Sequence, residues 1–177
     1  GGLGSIAIGA STPDKAVKLI AQTRGLTSKP FNVNVFCHQP PVYDAAREAD
    51  WLNHLAPLFA EFGQAPPSKL DKIYTSFVED DTTLNILVDK KPPVVSFHFG
   101  VPQAAWVSAL KAAGIITLGC ATTLDEAYAI EAAGVDVIIA QGYEAGGHRG
   151  VFDSMNIQAY FPYIGLFPLL SQQCTRP

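Results

Sequence analysis

The sequence lacks the features that mark several large classes of protein. Its 177 residues contain no run of lysine or arginine and carry a formal net charge of −4, so neither a nucleic-acid backbone nor an anionic membrane surface is an expected partner. No apolar stretch approaches the roughly 18 residues of a membrane-spanning helix, and the first letters, GGLGSIAIGAS, show neither a basic region nor a cleavage site for export. These absences predict a cytoplasmic protein that acts on a small molecule.

Cysteine is scarce and irregularly spaced. Cys37, Cys120 and Cys174 are odd in number and share no C-x-x-C spacing, which argues against a disulfide framework and against a structural zinc site. The phosphate-binding patterns G-x-x-x-x-G-K-[ST] and G-x-G-x-x-G are missing as well. We therefore expect no bound metal and no nucleotide held by either of those loops.

Short apolar segments alternate with segments of helical periodicity along much of the chain. Brief runs rich in β-branched residues predict buried strands at residues 4–11, 31–36, 93–100, 114–121 and 135–142. The last three begin about twenty residues apart, which is the spacing of βα units in a parallel sheet. The fold class is therefore predicted to be α/β with parallel strands.

Helix signals lie between the predicted strands. Thr12 is placed to cap one helix, Pro102 to open another, and Thr122 or Thr123 to cap a third that Gly134 ends. Right-handed crossovers put the carboxyl ends of all parallel strands on one side, so we expect a ligand to bind there. Five parallel strands fit either an incomplete barrel or an open doubly wound sheet.

The segment from residue 39 to residue 92 interrupts this alternation. It contains two predicted helices, in YDAAREADWLNHLAPLFAEFG and DDTTLNILVDKK, which the linker APPSK separates. We interpret the segment as a helical insertion that passes over the strand ends, within a domain that spans residues 1–177. Large apolar side chains in it, such as Trp51 and Leu58, are expected to pack rather than to bind.

Polar side chains occur near the predicted carboxyl ends of the strands. Asn34 interrupts an apolar strand, and a buried amide there needs partners, either in its own loop or in a ligand. In the next strand Ser96 and His98 alternate with Phe97 and Phe99. If the phenylalanines face the helices, Ser96 and His98 share the opposite, interior face, because successive side chains of a strand point to opposite sides.

The most informative segment is AQGYEAGGHRG, which directly follows the apolar letters VDVIIA. It contains four glycines beside a histidine, an arginine and a glutamate, whereas a flexible turn needs only one or two glycines. Gly146 and Gly147 permit close backbone approach to a flat ligand, because glycine lacks the Cβ that would collide with a ring. Gln141 offers a donor and an acceptor to the polar edge of a heterocycle.

These segments together resemble the FMN-dependent nitronate monooxygenases, formerly called 2-nitropropane dioxygenases. The likeness rests on FNVNVF, VVSFHFGVP and GCATTLDEAYAIEAAGVDVIIAQG, and above all on the signature EAGGHRG, and it runs along essentially the whole chain. It implies a (β/α)8 TIM barrel with an inserted helical region and with FMN across the carboxyl ends of the strands. It also implies the oxidative denitrification of alkyl nitronates or nitroalkanes by O2, to a carbonyl compound and nitrite.

The resemblance also implies roles for individual residues. His148 would be the active-site base, since histidine has a reference pKa near 6.5 and can take a proton or hydrogen-bond a nitronate at neutral pH. The implied flavin contacts are Asn34, Gln141, Gly146, Gly147 and Gly119. The implied lining of the substrate pocket is His98, Tyr74 and Ser96.

The likeness accounts for strands two to six of such a barrel. A (β/α)8 barrel typically needs about 250 residues, and its strands seven and eight carry the phosphate-binding loops. The segment VFDSMNIQAYFPYIG also has aromatic residues where this family would have an acidic turn. We therefore expect that residues 1–177 alone bind FMN weakly and associate with a second copy, because an open sheet exposes its edges.

Two other functions remain open. The same scaffold can carry NAD(P)H-dependent reduction of a quinone or an enoyl compound, for which rapid flavin reduction by a nicotinamide is the diagnostic observation. A non-catalytic remnant that binds a partner is the third interpretation, and the missing phosphate loops favour it.

Overall fold

The structure is a computed structural model that describes residues 2–155 and 160–177. Its strands are β1 (Gly4–Ala7), β2 (Phe31–Phe36), β3 (Val94–His98), β4 (Ile116–Ala121) and β5 (Val137–Ala140). Its helices are α1 (Pro13–Leu26), α2 (Ala45–Glu61), α3 (Asp81–Lys90), α4 (Ala104–Ala112), α5 (Leu124–Ala132) and α6 (Tyr163–Gln173), with a short 3-10 helix at Phe77–Glu79. The segment VFDSMNIQAYFPYIG lies partly outside the described residues, because it includes residues 156–159.

The strands form one parallel sheet in the order β1-β2-β3-β4-β5. A doubly wound sheet reverses its strand order at a switch point, whereas the strands of a (β/α)8 barrel follow one another in chain order. The register pairs Asn34 with Ser96 and Phe36 with His98. The sheet therefore has the order of a barrel, and residues near the ends of β2 and β3 lie side by side.

One hydrophobic core lies between the sheet and its helices. Fully buried side chains come from α1, α3, α4 and α5, namely Ile20, Leu87, Leu110 and Ile130. From the sheet, Phe97 is also fully buried, and its ring stacks on Phe77 with centroids 6.1 Å apart. Burying one such side chain stabilises a protein by roughly 1.5–3 kcal/mol, so these contacts hold the helices against one face of the sheet.

Several predicted helix ends are confirmed. Thr12 caps α1 and Thr123 caps α5, each by accepting a hydrogen bond from a backbone N–H in the first turn. Gly134 follows α5 with a φ of +84°, which glycine adopts without steric cost. Pro102 does not open α4 as predicted, because the helix begins at Ala104 and Gln103 occupies the N-cap position without a side-chain cap hydrogen bond.

Residues Pro40–Ile73 form a separate compact unit that contains α2. In this unit Leu52 is buried, whereas Trp51 and Leu58 are about half exposed, at 52% and 51%. Trp51 also stacks on His54, with ring centroids 5.4 Å apart, and the expectation that Trp51 and Leu58 pack rather than bind stays a prediction. The second predicted helix of the insertion, α3, falls in the larger unit with the sheet, and the insertion boundaries stay a prediction.

Across the part of the chain that the structure describes, no helix combines the length and the apolar character needed to cross a membrane.

Candidate active site

Rings from separate segments meet at the carboxyl ends of β2 and β3. Phe36 ends β2, and the centroid of its ring lies 6.2 Å from that of Tyr74 and 5.1 Å from that of Phe99. The Phe99 ring in turn lies 4.4 Å from His98 and 6.1 Å from His148, again between centroids. We call these five residues the ring cluster. It connects three side chains that were predicted from the resemblance, those of Tyr74, His98 and His148.

Phe99 owes its place in the ring cluster to an unusual backbone conformation. Its φ is +65°, in the left-handed region that costs a bulky L-residue roughly 1–2 kcal/mol. The chain therefore turns directly after β3, and Phe99 leaves the face on which Phe97 packs. The assumption that both phenylalanines face the helices was right for Phe97 and wrong for Phe99.

Polar side chains occupy the face of the sheet opposite the helices. The Nδ2 of Asn32 donates to Ser5 Oγ at 2.9 Å and to Ser96 Oγ at 2.7 Å, and the Nδ2 of Asn34 donates to Ser96 Oγ at 2.8 Å. Ser96 is only 3% exposed. Its hydroxyl thus orients two amides, and its contact with substrate stays a prediction.

Gln141 makes two hydrogen bonds to the backbone of the glycine-rich segment after β5. The Oε1 of Gln141 accepts from the N–H of Gly150 at 2.6 Å, and its Nε2 donates to the carbonyl of His148 at 3.3 Å. We call residues 142–150 the His148 loop. Both polar groups of this amide are engaged with the loop, and the flavin contact of Gln141 stays a prediction.

Gly150 closes the His148 loop onto β3 and β4. A Cβ built on Gly150 would lie 2.8 Å from Cys120 Sγ and 2.8 Å from His98 Cε1. Real Cβ contacts are essentially never this short, so only glycine fits this position without movement of its neighbours. The close approach brings the loop backbone onto the His98 ring.

The middle of the His148 loop is open. A Cβ built on Gly146 or Gly147 would have no described atom within 4 Å, and Gly147 has a φ of +77°. The His148 side chain is exposed beside them. The open space is what backbone approach to a planar ligand requires.

Gly119 lies away from this group. A Cβ on Gly119 would be 2.7 Å from Ile130 Cγ2, on the helix side of the sheet. The absence of a side chain therefore lets α5 pack closely on β4. The structure does not bring this position to the ring cluster, and a contact of Gly119 with a cofactor stays a prediction.

Burial shapes the electrostatics of the site. It lowers the pKa of His98 below the usual 6.5; a hydrogen bond to the His148 backbone opposes this shift, and the nearby His148 side chain adds to it. The lowered pKa favours the neutral ring, whose single N–H is the donor in this hydrogen bond and whose other nitrogen can only accept. Burial, aided by Glu126 and opposed by Arg149, raises the pKa of Cys120 to about 12, so this thiol stays protonated.

Sequence reasoning missed Glu126. This carboxylate is 8% exposed, and its Oε2 accepts from Thr122 N at 2.6 Å and from Thr122 Oγ1 at 2.8 Å. Its Oε1 accepts from the N–H of Phe152 at 2.8 Å. Thr123 and Glu126 have the spacing of a capping box, which signals a helix start. That local pattern gives no sign that Glu126 also binds Phe152, which lies after the next strand in the chain.

A cavity of about 520 Å³ lies elsewhere, beside β5 and α6. Its walls are mainly apolar and include Ile138, Phe167 and Leu170, and none of the predicted site residues lines it. Three titratable side chains, those of Tyr74, His98 and His148, converge instead at the ring cluster, which we therefore treat as the candidate active site. Among the described residues, no group of three or more His, Cys, Asp or Glu side chains is arranged to hold a metal ion.

The sequential parallel sheet defines part of a (β/α)8-barrel protein, and the candidate active site lies at the carboxyl ends of its strands, the usual face for such barrels. The profile of one family, described as nitronate monooxygenase, matches residues 1–173. The chain belongs to this family.

Curated relatives carry the same name. The chain is 52% identical over 177 residues to a nitronate monooxygenase of Paraburkholderia phytofirmans and 54% identical over 177 residues to one of Pseudomonas aeruginosa. These alignments cover 100% of this chain but 48% and 50% of the relatives. The chain thus spans about half the length of the curated relatives it matches.

Solved structures give the same fold. All of this chain superposes on 50% of a nitroalkane oxidase from Streptomyces ansochromogenes, with a TM-score of 0.84 and 38% identity. A mutant of FabK from Thermotoga maritima matches with a TM-score of 0.68 and 26% identity over 43% of its chain. The prediction of an α/β fold that forms part of a (β/α)8 barrel is confirmed.

Proposed function

We propose that this protein is an FMN-dependent nitronate monooxygenase, which converts alkyl nitronates or nitroalkanes and O2 to a carbonyl compound and nitrite. The observation that carries the proposal is the placement of His148. An open glycine loop presents its ring at the strand ends, 6.1 Å from the Phe99 ring between centroids, in a chain of the nitronate monooxygenase family.

His148 is the residue that moves the proton. A neutral nitroalkane must lose its α-proton before oxidation, and a ring nitrogen of His148 can accept that proton because the side chain is exposed. A nitronate has already lost the proton. For that substrate His148 needs only to hydrogen-bond the anion, so one residue serves both substrates with different demands.

His98 and Tyr74 are the proposed walls of the substrate pocket. The neutral ring of His98 has one N–H, which the His148 backbone already engages, so the ring would bound the pocket by contact rather than by donating to the nitro group. Tyr74 lies against Phe36 and His38, with its ring centroid 5.5 Å from that of His38, and its phenol would be the donor to a nitro oxygen. Together the two side chains would orient the anion toward His148.

The residues present fit the ring half of FMN. The side of the loop at Gly146 and Gly147 is open, and the amides of Asn34 and Gln141 lie at the same strand ends. These four residues would hold the flavin. FMN would supply the electron transfer to O2 that amino-acid side chains cannot perform.

The proposal concerns the whole protein, because the relatives are about twice as long as this chain. It requires a small-molecule substrate and O2 as partners, whereas the cytoplasmic location and the association with a second copy stay predictions. Reduction of a quinone or an enoyl compound by NAD(P)H is the competing activity. Anaerobic mixing with NADH and NADPH distinguishes the two, since a nitronate monooxygenase should not be reduced rapidly.

The test is His148→Asn in the full-length protein. Loss of the base should lower turnover of a neutral nitroalkane by roughly 10²- to 10⁴-fold, the usual contribution of general-base catalysis. Oxidation of the matching nitronate should fall less, and flavin absorbance should be retained. His54→Asn, an exposed histidine of the Pro40–Ile73 unit, is the matched control. Small and equal losses on both substrates would remove His148 from the base role.

A further inference from the structure

Three side chains hold the backbone of the His148 loop and of the residues that follow it. Glu144 accepts from the N–H of Tyr163 at 2.8 Å, Gln141 holds Gly150, and Glu126 holds the N–H of Phe152. Between the first two of these contacts the loop is open at Gly146 and Gly147, whereas Arg149 lies over the Tyr160 ring, with its Cζ 5.2 Å from the centroid. The position of His148 therefore depends on the hydrogen bonds at either side of it as well as on these ring contacts.

Of these three contacts, the hydrogen bond from Phe152 to Glu126 joins the residues that lie furthest apart in the sequence. Glu126 lies on α5, yet its two oxygens bind two different segments: Thr122 in the turn after β4, and Phe152 just beyond the loop after β5. A buried carboxylate is costly to desolvate unless it is fully hydrogen-bonded. Here the backbone N–H groups of both segments, together with a hydroxyl, provide those bonds, so the side chain joins two neighbouring strand ends.

A second glutamate on α5, Glu131, can be compared with Glu126. The Oε1 of Glu131 also accepts several hydrogen bonds, from Thr175 N at 2.6 Å, Thr175 Oγ1 at 2.8 Å and Arg176 N at 2.9 Å. Its partners are near the last residue of the chain, not in the His148 loop. Both carboxylates thus stabilise backbone N–H groups, but only Glu126 does so beside the candidate active site.

We propose that Glu126 is a positioning residue for His148. By holding Phe152 against the turn at Thr122, it fixes the downstream end of the loop. Gly150 then stays on the His98 ring, and His148 stays against Phe99. This inference rests on the proposed function only in treating His148 as the base.

The test compares Glu126→Gln with Glu131→Gln in the full-length protein. Glutamine has the size of glutamate but only one oxygen, so it can serve Thr122 or Phe152 but not both. Amide hydrogen exchange should rise at least roughly tenfold at Gly150 and Phe152 in Glu126→Gln, as expected for a lost bond to a charged acceptor. In Glu131→Gln it should rise only near Thr175.

A kinetic readout separates positioning from general stability. In Glu126→Gln, kcat for a neutral nitroalkane should fall at least roughly tenfold with KM nearly unchanged, while oxidation of the nitronate falls less, because only proton transfer depends on where His148 lies. Glu126→Asp keeps the charge but is one methylene shorter, and it should show the same local change.

Two outcomes would overturn the proposal. Exchange at Gly150 and Phe152 that stays at the wild-type rate would show that Glu126 does not hold the loop. Exchange that rises equally throughout the chain would show a general stability role. If wild-type protein oxidises neither substrate, the proposed function fails, while the exchange experiment still decides whether Glu126 fixes the loop.

Discussion

Replacing Gly150 with alanine would insert a methyl group where the structure has no room for one. The new Cβ would lie 2.8 Å from Cys120 Sγ, 2.8 Å from His98 Cε1 and 3.1 Å from His98 Nδ1. Carbon atoms in contact prefer separations of about 3.5–4.0 Å, so the neighbours would have to move by several tenths of an ångström or more. The ring of His98 or the His148 loop must give way.

The cost can be estimated from overpacking elsewhere. Adding a methylene to a close-packed site costs roughly 1–3 kcal/mol. For a chain of this size, each kcal/mol lowers the melting temperature by about 2–4 °C, so Gly150→Ala should melt about 2–12 °C lower. Because the displaced groups include His98 and the backbone of His148, turnover should fall more than stability alone explains.

Two matched variants make the measurement specific. Gly146→Ala lies in the same loop, but its Cβ would meet no described atom within 4 Å, so flavin-free protein should melt at the wild-type temperature while FMN affinity falls. Cys120→Ala removes Sγ, one of the three obstructing atoms. Combined with Gly150→Ala, it should recover part of the loss, which a double-mutant cycle by thermal unfolding would show as coupling.

Two results would contradict the prediction for Gly150→Ala. If Gly150→Ala melts at the wild-type temperature and turns over nitronate normally, the close approach of Gly150 to His98 is not present in the protein. Equal destabilisation by Gly146→Ala and Gly150→Ala would also contradict it, since the structure makes one site open and the other closed.

Two further predictions concern His98. His98→Asn should raise KM for nitronates by roughly tenfold while lowering kcat less, because the smaller side chain removes a wall contact that the substrate makes in ground and transition states alike. Loss of all bound flavin would instead place His98 in the cofactor site. Burial lowers the pKa of His98, so the unfolded chain binds the proton more readily. The neutral His98 ring therefore contributes to the free energy of unfolding. That contribution is fully present above about pH 6.5 and is lost as pH falls through the folded-state pKa of His98. Urea unfolding from pH 5 to pH 8 should therefore show a shallower loss of stability in His98→Asn, and parallel curves would contradict this.

Much of the fold could be predicted from local sequence. The strands are short apolar runs, and their period differs from that of the intervening helices, so each element shows its type without reference to the rest. Thr12, Thr123 and Gly134 mark helix ends through interactions confined to one helical turn. The same locality explains the error at Pro102, since proline is compatible with several positions near a helix start.

The site was only partly visible in the sequence. The glycines and His148 of EAGGHRG stand out because such a composition is unusual in a turn, and alternation correctly put Ser96 and Phe97 on opposite faces. Alternation failed at Phe99, because it assumes extended backbone and this residue is left-handed. Nothing local signals that conformation in a bulky residue.

The remaining features of the site, the contacts of Gly150 and Glu126 among them, depend on the tertiary structure. That Gly150 must be glycine depends on His98 and Cys120, which come from two other strands. That Glu126 binds Phe152 depends on α5 and the loop after β5 meeting at one edge of the sheet. The sequence alone determines which segments are strands, which are helices and which loop is rich in glycine, because those properties follow from neighbours along the chain. The distances between groups far apart in sequence arise only when parallel strands bring their ends together, and those distances decide the chemistry of the site.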